Sequence, residues 1–197
     1  MNYICQNETI TIRVMEDCKE DYDLLTKWLS NPDVLQYYEG KSNLYDIGKV
    51  MKKFAPRAKG DELVFQCIIQ YNCQAIGYIQ YYQIDYGDYG ITGENIVGKY
   101  LCPFGVDLFI GETDYWNKGL GTKLLSSLIK YLFEYKNADI VFIDPQTWNK
   151  RAIRCYEKVG FKAKDIIKNR EFHDGEYKDS LIMYITPNQL NTGRRNE

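Results

Sequence analysis

The sequence has few of the residues that build metal sites, and it has no long apolar run. Its 197 residues include a single histidine, His173, and the six cysteines form no Cys-x-x-Cys pair, so no metal site is expected. Basic residues number 25 and acidic residues 27, whereas nucleic-acid binders are usually basic. No apolar stretch approaches the length of a membrane span, and the N-terminus lacks the basic and apolar regions of a signal peptide.

Without these features, several classes of protein are disfavoured: metalloproteins, nucleic-acid binders, membrane proteins and secreted proteins. We expect a cytoplasmic protein, a monomer or weak homodimer, that uses no metal and binds neither nucleic acid nor membrane. The scattered cysteines indicate small buried thiols in a reducing compartment. They are Cys5, Cys18, Cys67, Cys73, Cys102 and Cys155. The formal net charge of −2 is compatible with a cationic small-molecule partner.

Tyrosine, in contrast, is abundant, with 18 residues. A tyrosine offers a flat apolar face with a polar tip, which suits carbohydrate-like or polar ligands. Most of the 18 are expected simply to pack in the protein. The abundance of tyrosine is therefore compatible with such a ligand but does not indicate one.

A short glycine-containing turn is the most informative local feature. Gly119 and Gly121 lie between a predicted strand over residues 105–110 and a predicted helix over residues 119–135. Glycines let the backbone turn tightly and leave N–H groups uncovered, and a helix N-terminus adds partial positive charge. Lys118, Thr122 and Lys123 add donors. The turn therefore suits a phosphate or pyrophosphate, although a Gly-x-Gly pair alone is equally compatible with a plain turn.

Hydrophobic periodicity predicts the remaining elements. Strands are expected over residues 9–14, 62–71, 75–85, 105–110, 139–144, 161–167 and 181–185. Helices are expected over residues 21–29, 46–54, 119–135 and 149–158, with a short helical turn over 33–38. Pro56 opens a predicted loop over 56–61, and a long polar loop over 87–100 has the length of a functional or mobile segment. His173 is expected to be an exposed turn residue.

The order of these elements predicts a single domain. Short helices and a hairpin are followed by βαβα units, which indicates an α/β (α+β) protein with a mixed sheet and helices on both faces. The domain is expected to span residues 1–187 and to be followed by a polar, disordered tail over 188–197. A Rossmann dinucleotide fold is disfavoured because the third glycine and the ribose-binding acid are missing, and the P-loop motif is absent.

Two segments together resemble a known family. Residues 117–122 read Asn-Lys-Gly-Leu-Gly-Thr, and residues 149–161 read Asn-Lys-Arg-Ala-Ile-Arg-Cys-Tyr-Glu-Lys-Val-Gly-Phe. The pair resembles the GCN5-related N-acetyltransferases, in which Gln/Arg-x-x-Gly-x-Gly/Ala binds the pyrophosphate of acetyl-coenzyme A. The family's Asn-x-x-Ala-x-x-x-Tyr-x-x-x-Gly-Phe flanks the thioester. Trp116 stands where the family usually has Gln or Arg ahead of the glycines. Backbone amides carry most of that interaction, so acetyl-coenzyme A binding is still implied.

The resemblance is closer to one branch, the aminoglycoside 6′-N-acetyltransferases. It rests on residues 28–29, 34–40, 76–80, 105–107, 118–124, 144–145 and 151–158. It implies a mostly antiparallel central sheet, the GCN5-related fold, and direct acetyl transfer to the 6′-amine of an aminoglycoside. Acetylation removes a positive charge from the drug and weakens its hold on ribosomal RNA, which confers resistance. Two alternatives stay open: an acetyltransferase for another small amine or a protein N-terminus, and a non-catalytic acetyl-coenzyme A sensor.

Two residues are the candidates for catalysis. Asp107 lies in an otherwise apolar strand, where a carboxylate is costly without a partner or a role. It is expected to bind the substrate ammonium and to take its proton, and the alternative is a structural hydrogen bond. The resemblance makes Tyr156 the general acid that protonates the coenzyme A sulfur. The alternative for Tyr156 is a core tyrosine.

Further residues are expected to bind the two substrates. Those expected to bind the coenzyme are Phe109, Ile110, Lys118, Gly119, Leu120, Gly121, Thr122 and Asn149. Phe109 and Ile110 would act through their backbone groups, and Asn149 is also a natural N-cap. An aminoglycoside carries several ammonium groups on sugar rings, which calls for carboxylates and aromatic faces. Those expected to bind it are Tyr37, Tyr38, Glu39, Asp107, Asp144 and Asp174. The acids Asp85, Asp88 and Glu94 are further candidates. Each acid other than Asp107 is equally compatible with a solvated surface position, and Asp144 is favoured among them because sites in such sheets lie at the carboxyl ends of strands.

Overall fold

The computed structural model describes residues 2–84 and 102–190, and this part of the chain contains eight strands and five α-helices. The strands are β1 (Tyr3–Gln6), β2 (Ile10–Val14), β3 (Val64–Tyr71), β4 (Gln74–Gln83), β5 (Pro103–Ile110), β6 (Ile140–Ile143), β7 (Lys162–His173) and β8 (Glu176–Ile185). The helices are α1 (Lys19–Leu29), α2 (Pro32–Leu35), α3 (Ile47–Lys59), α4 (Leu120–Tyr135) and α5 (Lys150–Val159). The predicted loop over 87–100, the acids Asp85, Asp88 and Glu94, and residues 191–197 of the tail lie outside the described residues.

The strands form one mixed sheet in the order β1-β2-β3-β4-β5-β6-β8-β7. The pairs β1–β2, β2–β3, β3–β4 and β6–β8 are antiparallel, and β5 pairs with β6 in parallel. The predicted mixed, mostly antiparallel sheet is therefore confirmed. The β5–β6 ladder runs from the pair Pro103–Ile140 to the pair Gly105–Phe142. Strand β5 continues beyond this ladder to Ile110, and Asp107 lies in that continuation.

The described chain divides into two compact units. The first comprises residues 2–82, 107–120 and 173–176. In this unit the periodic apolar residues of α1 are buried, among them Leu25, Trp28 and Leu29. Phe54 of α3 and Tyr78 of β4 pack edge to face, with 5.5 Å between their ring centroids. The same apolar cluster includes Ile68 of β3 and Phe109 of β5.

The second unit contains most of α4, then β6, α5, most of β7 and most of β8. Helix α4 places Leu124, Leu128 and Leu132 four residues apart, and all three are fully buried. Helix α5 begins after Asn149, whose side chain accepts the Ala152 N–H at 3.1 Å, and it ends at Gly160 in the left-handed conformation with φ +119°. The predicted C-cap is confirmed. The assignment of residues 1–187 to one domain stays a prediction.

The helix predicted to end at residue 54 is longer than expected. Helix α3 continues through Pro56 to Lys59 and ends at Gly60, which has φ +84°. A proline removes one helical hydrogen bond, but here the N–H groups of Gly60 and Asp61 close the helix end on the carbonyls of Arg57 and Pro56. The loop predicted over 56–61 is therefore wrong, and Arg57 belongs to a helix.

Two expectations about individual residues are also wrong. His173 is buried, with 4% of its surface exposed, because β7 runs six residues beyond its predicted end and places His173 at the last strand position. The cysteines were expected to be buried, but only Cys67 among them is. Cys73 is exposed in the β3–β4 turn, and the other four are partly buried; all six are free thiols.

Candidate active site

Asp107 is held in the first unit by a side-chain amide from the neighbouring strand. The Gln80 Nε2 donates a hydrogen bond to Asp107 Oδ2 at 2.7 Å. Gln80 lies on β4 and is buried, whereas Asp107 on β5 is partly buried. A partly buried carboxylate with a neutral donor keeps its charge available for a cationic group. From the sequence, Asp107 was expected to act as a catalytic base, with a structural hydrogen bond as the alternative role. The hydrogen bond from Gln80 exists, and it does not exclude catalysis by the same carboxylate.

Aromatic rings surround this carboxylate within the same unit. Tyr38 packs on Phe109 with 4.9 Å between the ring centroids, and Tyr78 stacks on Phe109 at 5.5 Å. Burial raises the pKa of both Tyr38 and Tyr78 well above 10, so both phenols stay protonated at neutral pH. The site therefore combines one carboxylate with flat apolar surface, as expected for binding an amine on a sugar ring.

The glycine turn ahead of α4 has the form that an anion site requires. Gly119 adopts φ +74°, and apart from its immediate chain neighbours no described residue comes within 4 Å of the position where its Cβ would stand. Leu120 is the first residue of the 16-residue helix α4, so backbone N–H groups are presented at its N-terminus. Lys118 is exposed, and its ammonium lies 5.6 Å from the Tyr115 ring centroid. The open space and the positive helix end suit a phosphate group.

The next residues of α4 contact α5 within the second unit. The Thr122 hydroxyl lies 3.4 Å from the Cys155 Sγ, and a Cβ on Gly121 would lie 3.3 Å from the same sulfur. Burial raises the pKa of the Cys155 thiol, so the sulfur is a protonated thiol at neutral pH. Cys155 thus packs against Gly121 and Thr122 of α4 and lacks the activation of a nucleophile.

Trp116 ties the turn to the end of β5 in the first unit. Its indole Nε1 donates to the Ile110 carbonyl at 2.7 Å, and its ring meets Tyr37 edge to face at 5.7 Å. The Phe109 carbonyl faces Gly77, where a Cβ would lie only 2.4 Å from the oxygen. The backbone groups of Phe109 and Ile110 were expected to run beside the coenzyme. Of these, the Ile110 carbonyl accepts from Trp116 and the Phe109 carbonyl packs against Gly77, and their role in binding the coenzyme stays a prediction.

Tyr156 and Asn149 belong to the second unit. Tyr156 lies on α5 with 8% of its surface exposed, and its ring centroid is 6.1 Å from that of Phe161. Asn149 caps the same helix, as predicted. A buried tyrosine is compatible both with packing and with a phenol that donates a proton in a dry site, so the role of Tyr156 stays a prediction.

Asp174 lies in the two-residue turn between β7 and β8, where it has φ +49°. Within the first unit its carboxylate accepts the backbone N–H groups of Lys41 and Ser42 at 3.0 Å each and the Ser42 hydroxyl at 2.9 Å. These donors, chiefly the Ser42 N–H, lower the pKa of Asp174 to about 2. Asp174 thus braces the segment after α2, and it is an ionised acid beside the predicted acceptor residues.

Glu39 and Asp144 each have a basic partner. Glu39 forms an ion pair with Lys53 and accepts from the Tyr45 hydroxyl and, at 3.0 Å, from the Asn43 amide. In the second unit, Asp144 follows β6 and accepts from Arg170 Nε at 2.9 Å. Neither acid is simply solvated. A substrate ammonium would have to compete with Lys53 for Glu39 and with Arg170 for Asp144.

Several of these contacts were not predicted from the sequence. Gln80, Tyr78 and Arg57 form the polar side of the Asp107 environment, because Gln80 Oε1 accepts from the Tyr78 hydroxyl at 2.7 Å and from Arg57 Nη1 at 3.3 Å. Two signals were available: Gln80 stands between Ile79 and Tyr81 in the predicted strand, and residues 76–80 are among those that carry the resemblance. No group of three histidines, cysteines, aspartates or glutamates that could hold a metal occurs in residues 2–84 and 102–190. None of the helices in those two stretches is long and apolar enough to cross a membrane.

Comparison with known proteins places this geometry in a family. Residues 17–168 match the acetyltransferase (GNAT) domain. The chain is 30% identical over 162 residues to an aminoglycoside N(6′)-acetyltransferase type 1 from Klebsiella pneumoniae, and the match covers 82% of this chain and 78% of that protein. It is 28% identical over 76 residues to the spermidine N(1)-acetyltransferase of Escherichia coli, which covers 39% of this chain and 41% of that protein.

A solved structure agrees with this result. The complex of the aminoglycoside acetyltransferase AAC(6′)-Ib with ribostamycin and coenzyme A superposes with a TM-score of 0.77 and 27% identity, and the match covers 96% of this chain and all of that chain. The chain belongs to the GNAT acetyltransferase family.

Proposed function

We propose that this protein transfers an acetyl group from acetyl-coenzyme A to the 6′-amine of aminoglycoside antibiotics. The observation that carries the proposal is the similarity, over most of both chains, to an enzyme named for that reaction. A further structure of AAC(6′)-Ib, in complex with coenzyme A and kanamycin, matches with a TM-score of 0.75 and 26% identity over 95% of this chain. The carboxylate and aromatic surface around Asp107 are compatible with an amino sugar as the acceptor.

Acetyl-coenzyme A supplies the acetyl group as a thioester. The turn at Gly119 and the N-terminus of α4 fit its pyrophosphate, because the backbone is open there and the helix end is positive. The Thr122 hydroxyl and the Lys118 and Lys123 ammonium groups are further donors for the phosphates. A Cβ on Gly119 would enter this space, which explains why glycine suits the position.

The chain's own residues would divide the proton transfers between them. Asp107 binds the substrate ammonium and takes a proton from it, directly or through a water, so that the amine nitrogen has a lone pair for attack on the thioester carbon. The nitrogen–carbon bond forms and the carbon–sulfur bond breaks. Tyr156 donates its phenol proton to the departing sulfur. After the attack the nitrogen still carries two hydrogens, and it loses the second as the carbon–sulfur bond breaks. That proton would return to the Tyr156 phenolate, directly or through water, and the proton on Asp107 would pass to solvent. The net products are the amide, the thiol of coenzyme A and one released proton.

The remaining acids and tyrosines would bind the other ammonium groups of the drug. Asp174 is the strongest candidate, because it stays ionised and is exposed. Tyr37 and Tyr38 offer ring faces. Glu39 and Asp144 would contribute by sharing their charge between the drug and their basic partners. We propose that the enzyme acts in the cytoplasm, as a monomer or a weak homodimer.

A steady-state assay of thiol release from acetyl-coenzyme A tests this proposal. The acceptors would be a kanamycin-type drug, its analogue with a 6′-hydroxyl, spermidine and a peptide with a free N-terminus. Release with the 6′-amino drug alone supports the proposal. Release with spermidine or the peptide but not with the drug would instead support an acetyltransferase for other amines, and no release with any acceptor would support a sensor.

The same assay tests the role of Asp107. The variant Asp107→Asn keeps the shape of the side chain but cannot take a proton. We expect its kcat at neutral pH to fall by about two to four orders of magnitude, the usual contribution of a general base. An unchanged kcat would show that Asp107 only binds or positions.

A further inference from the structure

A chain of side chains connects Asp107 to a guanidinium in the first unit. Arg57 Nη1 lies 3.3 Å from Gln80 Oε1, and Gln80 Nε2 lies 2.7 Å from Asp107 Oδ2. The Tyr78 hydroxyl contacts the same Gln80 Oε1 at 2.7 Å. Gln80 is 7% exposed and Tyr78 is fully buried, so water contributes little here. Gln80 thus touches both the guanidinium and the carboxylate.

The surroundings permit one orientation of the Gln80 amide. Reversing it would place the amide NH2 against the Arg57 guanidinium, which has donors only. The reversed carbonyl oxygen would then face Asp107 Oδ2, and two acceptors in contact are unfavourable unless the carboxylate carries a proton. Arg57 therefore fixes the amide with its donor toward Asp107. The Tyr78 phenol supports the same orientation. Burial raises its pKa and keeps it protonated, and the shorter of its two contacts, 2.7 Å, is to Gln80 Oε1, whereas the contact to Gln66 Oε1 is 3.0 Å.

We propose that Gln80 is a positioning residue for acetyl transfer that acts through Asp107. Locked by Arg57 and Tyr78, its amide holds the Asp107 carboxylate in one rotamer and favours the ionised form that accepts the substrate's proton. This inference rests on the proposed function. It assigns a role in the reaction to three residues that do not themselves contact the reacting atoms: Gln80, Arg57 and Tyr78.

The effect on pH dependence follows from the groups around Asp107. Among the described residues they include Tyr38 after α2, Tyr78 on β4 and, through Gln80, Arg57 on α3. The two phenols stay neutral at ordinary pH and Arg57 stays charged. Removing the Gln80 donor leaves these groups in place, so a change in the pH profile reports the loss of the hydrogen bond to the carboxylate.

The chain offers a matched control on the neighbouring strand. Gln66 lies opposite Gln80 in the β3–β4 ladder, is 3% exposed and contacts the same Tyr78 hydroxyl at 3.0 Å. Its Nε2, however, donates to the Phe54 carbonyl at 3.0 Å and not to Asp107. Replacing either glutamine by methionine keeps the volume and removes one buried amide, so the two variants should lose similar stability.

The test compares Gln80→Met with Gln66→Met in full-length protein, with acetyl-coenzyme A and a 6′-amino drug. We expect Gln80→Met to lower kcat at least tenfold, to leave the KM for acetyl-coenzyme A within about twofold, and to move the acid limb of kcat/KM upward by about one pH unit. Gln66→Met should keep kcat and the acid limb within about twofold and about 0.3 pH unit of wild type. Equal kinetics for the two variants would overturn the inference.

A second variant covers the case in which Gln80→Met does not fold. Gln80→Glu keeps the size of the side chain and its contact with Arg57, but it places an acceptor against Asp107. We expect its acid limb to lie at higher pH than that of the wild type, because two adjacent carboxylates share a proton. A wild-type profile in Gln80→Glu would contradict the inference. Wild-type protein that shows no thiol release with any 6′-amino drug would instead remove the proposed function itself.

Discussion

The Asp174 carboxylate accepts the backbone N–H of Ser42 at 3.0 Å, across 132 residues of sequence. It also accepts the Lys41 N–H, and a Cβ on the neighbouring Gly40 would lie 2.7 Å from Asp174 Oδ1. The β7–β8 turn is therefore fastened to the segment that follows Tyr37, Tyr38 and Glu39. Asp174 thus stabilises the segment that follows the residues predicted to bind the drug, and its carboxylate lies beside that segment.

This bracing predicts a pH dependence of stability. The pKa of Asp174 is about 2 in the folded protein and about 4 in an unfolded chain. A carboxylate with a lowered folded pKa stabilises the fold above its unfolded pKa, and this stabilisation is lost as the pH falls through the folded value. We therefore expect the free energy of unfolding of wild type to exceed that of Asp174→Asn at neutral pH, and the gap to close between about pH 4 and about pH 2.

Urea unfolding across that range measures the gap. The control is Asp165→Asn, which removes an exposed carboxylate on β7 that accepts the N–H of the adjacent Ile166 at 2.7 Å. Its free energy of unfolding should stay close to that of wild type at every pH. A gap for Asp174→Asn that does not change between about pH 4 and about pH 2 would contradict the assigned role.

The glycine turn predicts a specific loss of coenzyme affinity. Gly119→Ala places a Cβ in the open space above the α4 N-terminus and strains a residue with φ +74°. We expect the KM for acetyl-coenzyme A to rise about tenfold and stability to fall by about 1–2 kcal/mol. Gly60→Ala is the matched control, because Gly60 has φ +84° and equally open space but caps α3. A similar rise in KM for both variants would show that strain, and not the phosphate site, is responsible.

If Tyr156 is the general acid, its replacement should lower turnover without weakening the binding of coenzyme A. In Tyr156→Phe the phenol proton is lost while the ring remains, so kcat should fall by about ten- to a hundredfold and the Kd of coenzyme A should stay within about twofold. Tyr22→Phe removes the hydroxyl of another buried tyrosine, one that donates to Asp17 in the first unit. That variant should lose stability and keep its kcat. Full turnover in Tyr156→Phe would leave Tyr156 as a packing residue.

The parts of the fold that the sequence predicted well are those set by local patterns. The α4 leucines repeat every four residues, and Asn149 and Gly160 mark the two ends of α5, so both helices follow from neighbouring residues. The end of α3 was predicted wrongly because Pro56 was taken to exclude a helix. Pro56 is tolerated there, and Arg57 came to be assigned to a loop.

The site was predicted only in part, since its pairings join distant residues. Asp107 was singled out as a carboxylate in an apolar strand, but its partner Gln80 depends on which strands lie side by side. Asp144 was expected at a strand end and is there, whereas its partner Arg170 depends on the full length of β7. The spacing of residues along the sequence does not reveal which carboxylate forms a hydrogen bond or an ion pair, or with which partner.

The central claim is tested most directly by the structure of the product formed from a kanamycin-type drug and acetyl-coenzyme A. The product would be analysed by mass spectrometry and by NMR of the purified compound. We predict a single added acetyl group, attached to the 6′-nitrogen, and no product from the analogue with a 6′-hydroxyl. An acetyl group on another amine would contradict the assignment. So would an unmodified drug after prolonged incubation with folded wild-type protein.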